Sequence, residues 1–118
     1  MFVNNAGIMI SSFLIDDDSD SFRKLFNVNV IASCIALRES VKLMREKSSL
    51  GHIIIINSIL GHRIPDVPYP AFGVYPATKY SLTALCQTVR QELSFSQLKI
   101  KLTVSRNLIS LTTKVFLI

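Results

Sequence analysis

The apolar residues of the chain follow two different patterns, and each pattern predicts a different kind of element. From about Ser19 to Lys47 they recur at every third or fourth position, which is the spacing of one face of a helix. A second helix is predicted from about Tyr75 to Gln97. Between the two helices, His52 to Asn57 contains four consecutive isoleucines. Such a run is typical of a strand buried on both faces of a parallel sheet. The apolar stripe of the first helix consists of Phe22, Leu25, Phe26, Val30, Cys34, Leu37, Val41 and Met44.

Shorter segments complete this pattern. Phe2 and Val3 are predicted to end a strand that turns at Asn4 to Gly7, and Ile100 to Ser105 is predicted to form another strand. The four aspartates between positions 16 and 20 suit the N-terminus of the first helix, and Gly51 is expected to stop it. The order strand, helix, strand, helix, strand predicts an α/β fold with parallel strands and right-handed crossovers.

Composition limits the class of protein. The chain has 118 residues, enough for one domain with a core, and 49% of them are hydrophobic while only 18% are charged. We expect this apolar surplus to face further parts of the same domain or a partner subunit. No membrane span is expected, because the longest uncharged run, Met1 to Ile15, contains polar residues and is shorter than about 18 apolar residues.

The charged and metal-binding residue types point away from nucleic acid and metals. The net charge is +5, but the basic residues are scattered and no basic run is interleaved with aromatic residues. Cys34 and Cys86 lie within apolar helical pattern and are predicted to be buried thiols rather than a disulfide or metal pair. His52 and His62 have no ligand partners at metal spacing. A reduced, cytoplasmic setting is the expectation.

Tyr75 and Lys79 are the first candidates for chemistry, because one helical turn separates them. An ammonium near a phenol favours the phenolate and is expected to lower the pKa of Tyr75, which would make the pair a proton donor and acceptor. Alone, such a pair is more often two residues of a helix surface. Pro76 disfavours helical backbone for the residue before it, so Tyr75 is predicted at the N-cap.

Other polar residues are predicted to gather near this pair. In open parallel sheets, sites form beyond the carboxyl ends of the strands. The turn at Asn4 to Gly7 follows the first strand, Ser58 follows the second, and Tyr75 begins the helix after that. The sequence therefore predicts a site at one edge of the sheet.

Four linked motifs carry a resemblance to a known family. They are Phe2 through Ile8, Phe26 through Val30, Ile56 through Gly61, and Tyr75 through Lys79. On these motifs the chain resembles the short-chain dehydrogenase/reductase family from about residue 1 to residue 105. Gly51 through Ile54 and Asn57-Ser58 with Gly61-His62-Arg63 are most similar to a subgroup that holds ketosteroid reductases and insect farnesol dehydrogenases. Residues 106 to 118 match nothing in the family pattern and are predicted to form a divergent tail.

This resemblance implies a fold and a reaction. The fold would be the central to C-terminal part of a Rossmann-like doubly wound parallel sheet. The reaction would be hydride transfer between a nicotinamide cofactor, NADP or NAD with NADP favoured, and a small-molecule alcohol or its ketone or aldehyde. A steroid, a retinoid or an isoprenoid would suit the subgroup. A complete member would form homo-oligomers.

The resemblance also implies roles for particular residues. Tyr75 would be the general acid or base, and Lys79 would lower its pKa and hydrogen-bond the nicotinamide ribose. Ser58 would donate a hydrogen bond to the substrate oxygen, and Asn29 would hold a water that relays protons from Lys79. The cofactor would be lined by Asn5, Ala6, Gly7, Tyr75 and Lys79.

One departure from the family leaves the activity open. The glycine-rich turn TGxxxGxG, which cradles the pyrophosphate at a helix N-terminus, has no match in the chain. These 118 residues alone are therefore expected to bind NADP(H) weakly or not at all. The alternative is a catalytically silent homologue that acts through the helices Ser19 to Lys47 and Tyr75 to Gln97, which correspond to the subunit-pairing helices of the family.

Overall fold

A three-stranded parallel sheet organises the molecule. The computed structural model describes residues 1–47, 50–67 and 71–106. Strands β1 (Phe2–Asn4), β2 (Leu50–Ile56) and β3 (Lys99–Ser105) lie side by side in that order. Ile53 in β2 pairs with Phe2 on one side and with Leu102 on the other. The predicted α/β fold with a parallel sheet is confirmed.

Helices make both crossovers between the strands. Helix α1 (Ser19–Phe26), a π-helical turn (Asn27–Ile31) and helix α2 (Ala32–Lys47) connect β1 to β2, and helix α3 (Tyr75–Phe95) connects β2 to β3. The first predicted helix therefore has the expected extent but contains one irregular turn. In that turn the Ala32 N–H donates to the carbonyl oxygen of Asn27, five residues earlier, instead of four.

Helix boundaries agree with the predictions at some ends and not at others. Asp18 caps α1, and its carboxylate accepts a 2.6 Å hydrogen bond from the Ser21 N–H. Gly51 does not stop the preceding helix, which ends at Lys47, but lies inside β2. A Cβ on Gly51 would collide with the Met44 side chain of α2, so this glycine lets the helix pack closely on the strand.

Both long helices cover the same face of the sheet. The main core joins Ile53 and Ile55 of β2, each fully buried, to Leu37 of α2 and Cys86 of α3. Two parallel crossovers of the same hand, with the sheet growing in one direction, put their helices on one side. Both cysteines are free, but only Cys86 is fully buried as predicted, which raises the pKa of its thiol; Cys34 is half-buried.

The other face of the sheet is less covered. Ile54 and Ile56 are half-buried there, and Val3, which pairs with Ile54, is 44% exposed. The prediction of a strand buried on both faces thus holds for one face only within the described residues. His52 and Thr103 share this second face and are joined by a 2.9 Å hydrogen bond. No helix in the described part of the chain has the length and apolarity that a membrane span requires.

A short turn after β2 packs tightly against α3. Ser58 precedes a 3-10 turn (Ile59–Gly61), and a Cβ on Gly61 would lie 2.6 Å from the Lys79 carbonyl oxygen and 2.8 Å from Asn57 Nδ2. Both neighbours belong to fixed structure, one of them to helix backbone. Close approach of the turn and the helix therefore depends on the missing side chain of Gly61.

Gly61→Ala is expected to destabilise the fold by about 1–3 kcal/mol, because the new methyl group forces backbone apart. Gly51→Ala is the matched control. Its methyl meets only the flexible Met44 side chain, which can move aside, so the cost is expected to stay below about 1 kcal/mol. Urea unfolding of the two variants measures this difference, and equal losses would contradict the tight contact at Gly61.

Candidate active site

Four polar side chains are buried together where the carboxyl ends of β1 and β2 meet the start of α3. Asn29 is completely buried, and Ser58, Tyr75 and Lys79 are exposed by only 2%, 8% and 6%. Polar groups of this size are rarely placed in a protein interior without partners or a task. Their burial at the edge where parallel sheets form sites identifies a candidate active site.

Tyr75 is the first residue of α3 and not its N-cap, so the N-cap lies one residue earlier in the chain than predicted. Val74 is the N-cap, and Pro76 occupies the second helical position. The Tyr75 N–H bonds the Phe72 carbonyl oxygen at 3.1 Å, so the turn before the helix supplies the partner that a capping side chain would otherwise give. The phenol ring packs with Leu25 and other apolar residues in a second, smaller core cluster.

Lys79 follows one turn later and points back over the tyrosine. Its Nζ lies 5.6 Å from the centroid of the Tyr75 ring, a distance at which an ammonium is attracted by the ring face. Desolvation by burial lowers the pKa of Lys79 below its ordinary value of 10.5. Among the described residues, none forms an ion pair with it.

The pKa of Tyr75 differs from the prediction. Burial raises it above the ordinary value of 10.0, and a hydrogen-bonding interaction with Ser58 lowers it by less. The expected lowering by Lys79 does not occur, because the ammonium lies over the ring while desolvation dominates at the hydroxyl group. In this structure Tyr75 is therefore a protonated phenol at neutral pH.

Ser58 is oriented as a hydrogen-bond donor. It is the N-cap of the 3-10 turn, and its Oγ accepts a 3.2 Å hydrogen bond from the Leu60 N–H. Since this contact uses the acceptor side of the hydroxyl group, its single proton remains available to an oxygen near Tyr75. The interaction with the Tyr75 side chain is in keeping with this orientation.

Asn29 joins the loop after β1 to helix α3. Its Oδ1 accepts from the Ile8 N–H at 2.8 Å, and its Nδ2 donates to the Ile8 carbonyl oxygen at 2.9 Å and to Thr78 Oγ1 at 3.0 Å. The side chain comes from the π-helical turn, where altered backbone spacing is frequent at functional sites. Asn29 thus fixes two of the three segments that form the site.

Of the three loop residues predicted to line the cofactor, Gly7 borders the buried cluster, whereas Asn5 and Ala6 are exposed beside it. Gly7 borders the site: a Cβ on it would lie 3.5 Å from both Asn29 Oδ1 and Lys79 Nζ. Asn5 and Ala6 are exposed in the same loop, next to the end of β1. The buried polar cluster therefore opens towards Gly7.

Sequence reasoning missed several residues that support the cluster. Thr78, fully buried, donates to the Tyr75 carbonyl oxygen at 2.7 Å and accepts from Asn29. Asn4 Nδ2 donates to Ser33 Oγ, which in turn donates to the Asn29 carbonyl oxygen at 2.8 Å. The positions of Thr78, three residues after Tyr75, and of Ser33, four after Asn29, were the available signals.

The arrangement suits proton exchange with a small oxygen-containing molecule. A protonated phenol, a donating hydroxyl group and an ammonium border the same region. Together they can place a proton on an oxygen atom and stabilise negative charge on it. The geometry thus favours chemistry at a carbonyl or alcohol oxygen.

Comparison with known proteins gives a family for this site. A family model described as "short chain dehydrogenase" matches residues 1–107. The matched segment contains every residue of the buried cluster and ends two residues after the predicted boundary at 105.

Two relatives show how similar the chain is to whole proteins. It is 42% identical over 102 residues to "Dehydrogenase/reductase SDR family member 11" of Mus musculus, covering 86% of this chain and 38% of the relative. It is 35% identical over 104 residues to "Farnesol dehydrogenase" of Aedes aegypti, covering 87% of this chain and 42% of the relative. The chain thus spans about two fifths of the length of these relatives.

The fold agrees with a solved structure of the same type. "ElxO with NADP Bound" superposes with a TM-score of 0.75 at 30% identity, over 91% of this chain and 41% of that one. The order of strands and helices, the buried polar cluster and the family-model match all lead to one assignment. The chain belongs to the short-chain dehydrogenase/reductase family of oxidoreductases, and it folds as part of a Rossmann-like domain.

Proposed function

We propose that this chain carries the proton-transfer site of an NAD(P)-dependent oxidoreductase that interconverts an alcohol and its ketone or aldehyde. The observation that carries the proposal is the joint burial of Ser58, Tyr75 and Lys79 around one opening of the site. The chain spans about two fifths of the length of its relatives, so the activity is proposed for a protein of their length in which these residues supply the proton-transfer site.

Tyr75 acts as the general acid in carbonyl reduction and as the general base in alcohol oxidation. Its raised pKa keeps the phenol protonated at neutral pH, which is the form required to donate to a carbonyl oxygen. In the reverse direction the base form must be stabilised, and the Lys79 ammonium, one turn away with its Nζ 5.6 Å from the ring centroid, is the cation proposed to do so.

Ser58 positions and polarises the substrate oxygen. Because its Oγ accepts from the Leu60 N–H, the hydroxyl proton remains available for the oxygen that Tyr75 protonates. A fixed donor of this kind stabilises charge developing on that oxygen without reorganising during the reaction.

The residues around Gly7 fit a nicotinamide cofactor. The absence of a side chain at Gly7 leaves space directly beside Lys79 Nζ, and this ammonium has no anionic partner within the described part of the chain. We assign Lys79 to the ribose hydroxyls, and Asn5, Ala6, Gly7 and Tyr75 to the lining of the cofactor. The bound nicotinamide supplies or accepts the hydride. We propose NADP rather than NAD, in line with the NADP bound in the ElxO structure, while "4-hydroxyisoleucine dehydrogenase complexed with NADH and succinate" has a similar fold with the other cofactor.

Asn29 is assigned to the proton path from Lys79 to solvent. Both protons of its amide are donated to Ile8 and Thr78. A water would therefore donate to a remaining lone pair of the Asn29 side-chain oxygen or carbonyl oxygen. The same bonds make Asn29 the residue that holds Gly7 near Lys79.

The surroundings of Tyr75 favour an apolar substrate. Half-buried apolar side chains pack against the small core cluster to which Tyr75 belongs, and Ile64 beyond the 3-10 turn is 61% exposed. We propose an apolar alcohol such as a steroid, a retinoid or an isoprenoid, in line with the name of the Aedes relative. The half-buried residues are Ile8, Met9, Ile10, Ile59, Phe72 and Val74.

The setting proposed for this activity is the cytoplasm, with residues 1–105 as the dinucleotide-binding part. Free thiols at Cys34 and Cys86 are expected in a reducing compartment. The predicted tail, apart from Arg106, lies outside the described residues.

The second candidate function is a silent subunit that pairs with a complete homologue. It is favoured by a groove between α2 and α3 whose floor is apolar and whose rim carries three basic residues and Glu92.

Within the same proposal, an active protein would use these helices to form homo-oligomers. A native chain that co-purifies with a complete homologue and has no turnover of its own would favour the silent subunit. The floor includes Leu37, Val41, Leu85 and Val89, and the rim Arg38, Lys42 and Arg45.

Tyr75→Phe is expected to lower kcat by at least about 100-fold in the native protein, because the proton donor is lost while the ring remains. Cofactor affinity should change less than about threefold. Steady-state reduction of an apolar ketone with NADPH measures kcat, and fluorescence titration measures cofactor binding. Tyr80→Phe is the control, since Tyr80 is 42% exposed on the same helix. Retention of most activity in Tyr75→Phe would refute the proton-transfer role.

Lys79→Met is expected to make the fold more stable at neutral pH by about 0.5–2 kcal/mol. The lowered pKa of Lys79 means that its surroundings disfavour the charged form, and methionine removes that penalty at similar volume. The wild-type free energy of unfolding should rise with pH from the lowered pKa towards 10.5, since the unfolded state then binds more protons than the folded state.

The same experiment has an internal limit and a control. Above pH 10 the raised pKa of Tyr75 acts in the opposite direction, so the comparison is made between neutral pH and pH 10. Lys24→Met, at an exposed position of α1, should leave stability within about 0.5 kcal/mol. Stability is measured by urea unfolding at several pH values. If Lys79→Met were destabilising at every pH, the lowered pKa of Lys79 would be contradicted.

A further inference from the structure

We propose that Asn57 is a positioning residue for the reaction, and that its side-chain amide holds the Ser58 turn against helix α3 so that Ser58 and Tyr75 address the same oxygen. This inference rests on the proposed function. It concerns a residue outside the buried cluster of Asn29, Ser58, Tyr75 and Lys79.

Asn57 connects three elements at the end of β2. Its backbone N–H donates to the Ser105 carbonyl oxygen at 3.1 Å, which extends the pairing with β3 by one residue. Its side chain, in a residue only 4% exposed, donates from Nδ2 to the Lys79 carbonyl oxygen at 3.3 Å and to Thr83 Oγ1 at 3.0 Å. A single residue thereby joins the sheet, the turn and the helix that carries Tyr75.

The hydrogen-bond pattern fixes the orientation of this amide. Thr83 has one hydroxyl proton, which the 2.7 Å bond to the Gly61 carbonyl oxygen uses, so Thr83 Oγ1 must accept from Asn57. The Lys79 carbonyl oxygen is also an acceptor. Both partners therefore require the NH₂ group of Asn57, and the reversed amide would place oxygen against oxygen.

The bridge holds the turn on both sides of Ser58. Asn57, the residue before Ser58, bonds Thr83 of α3, and Thr83 bonds Gly61 at the end of the turn. A Cβ on Gly61 would lie 2.6 Å from the Lys79 carbonyl oxygen of α3 and within 2.9 Å of both side-chain amide atoms of Asn57, so the turn, the amide and the helix touch without a gap. Ser58 therefore has little freedom to move relative to α3.

The chemistry requires this restriction. The Ser58 hydroxyl group can direct its proton at the substrate oxygen only while its Oγ remains in place, and displacement by about 1 Å can cost about 100-fold in rate. The contact point of the bridge on α3 is the backbone of Lys79, whose side chain borders the same site. Movement of the turn would thus change the alignment of two functional groups.

One detail is difficult to explain by packing alone. Asn57 Oδ1 is buried and has no hydrogen-bond partner among the described residues. A buried acceptor in this state destabilises the fold, and a smaller hydroxyl side chain would avoid that cost. The amide is the side chain that supplies two protons to two acceptors on α3, and this geometry offsets the unpaired oxygen.

The test compares Thr83→Val, Thr83→Ser and Asn57→Ala in the native protein. Valine keeps the shape of threonine but removes the hydroxyl group, whereas serine keeps the hydroxyl group and removes a methyl. We expect Thr83→Val and Asn57→Ala to lower kcat about 10- to 100-fold with little change in the KM for NADPH, and Thr83→Ser to restore most of kcat. Thr88→Val, at an exposed threonine of the same helix, is the control with unchanged activity.

A spectroscopic readout separates positioning from a general loss of stability. Ultraviolet absorbance of tyrosinate, taken as the difference from Tyr75→Phe, follows the titration of Tyr75. Because Ser58 lowers the pKa of Tyr75, loss of the bridge should move this titration to higher pH in Thr83→Val and Asn57→Ala, but not in Thr83→Ser. Each variant is measured under conditions where far-ultraviolet circular dichroism shows it to be folded.

The possible outcomes distinguish this inference from the proposed function. If the wild type turns over, Tyr75→Phe is inactive and the bridge variants retain full kcat, the positioning role is refuted while the function stands. A wild type without turnover, combined with a shifted Tyr75 titration in the bridge variants, would refute the function and retain the bridge. Activity that only follows the folded fraction, with no shift in titration, would also overturn the positioning role.

Discussion

The side chain of Asn29 holds together the segments on which the site depends. Its three hydrogen bonds join the loop after β1, through Ile8, to helix α3, through Thr78. Thr78 then bonds the Tyr75 carbonyl oxygen at 2.7 Å. Because the amide is completely buried, no water competes for these bonds, and leaving any of the groups unpaired would cost about 1–3 kcal/mol. The positions of Gly7 and Tyr75 are therefore coupled through one residue.

On the other side of the site, a second side-chain amide links a loop to helix α3. Asn57 and Thr83 connect the turn after β2 to the same helix, one turn beyond Lys79. Helix α3 is thus the common reference for both loops, and it is itself packed on the core through Cys86 and Leu93. The functional groups lie on or beside a rigid element, while the apolar core sets the position of that element. Burial then determines the protonation states, since desolvation is the leading cause of the pKa shifts of both Tyr75 and Lys79.

Much of the fold could be predicted from the pattern of apolar residues, because that pattern reports local periodicity and burial. The extent Ser19 to Lys47, the strand at Ile53 to Ile56 and the parallel order followed from it. The π-helical turn could not be predicted, since the apolar stripe is wide enough to fit one continuous regular helix as well as a helix with one extra residue. Gly51 was misplaced because a glycine can end a helix or permit close packing, and only the contact with Met44 distinguishes the two.

The candidate site was predictable in its members but not in its electrostatics. Positions at strand ends identify Ser58 and Tyr75, whereas the direction of the Tyr75 pKa depends on the balance of burial and charge in three dimensions. The predicted N-cap at Tyr75 was wrong by one residue, because the Phe72 carbonyl oxygen allows the helix to start at Tyr75 despite the following proline. Asn57 and Thr83 lie 26 residues apart, and their pairing becomes visible only when the turn and the helix are in contact.

The wide turn at Asn27–Ile31 also determines how the helix tolerates changes in length. An α-helix advances by about 100° per residue, and this turn takes up one extra residue, so the residues before it are offset by roughly that angle from the faces they would occupy in a regular helix of the same sequence. Removing one residue here would restore regular winding while leaving both flanking helices intact in composition. The Asn29 amide would then swing away from Ile8 and Thr78. The number of residues in this turn is therefore constrained, because it sets the direction of the Asn29 side chain whatever the identity of most other residues in the turn.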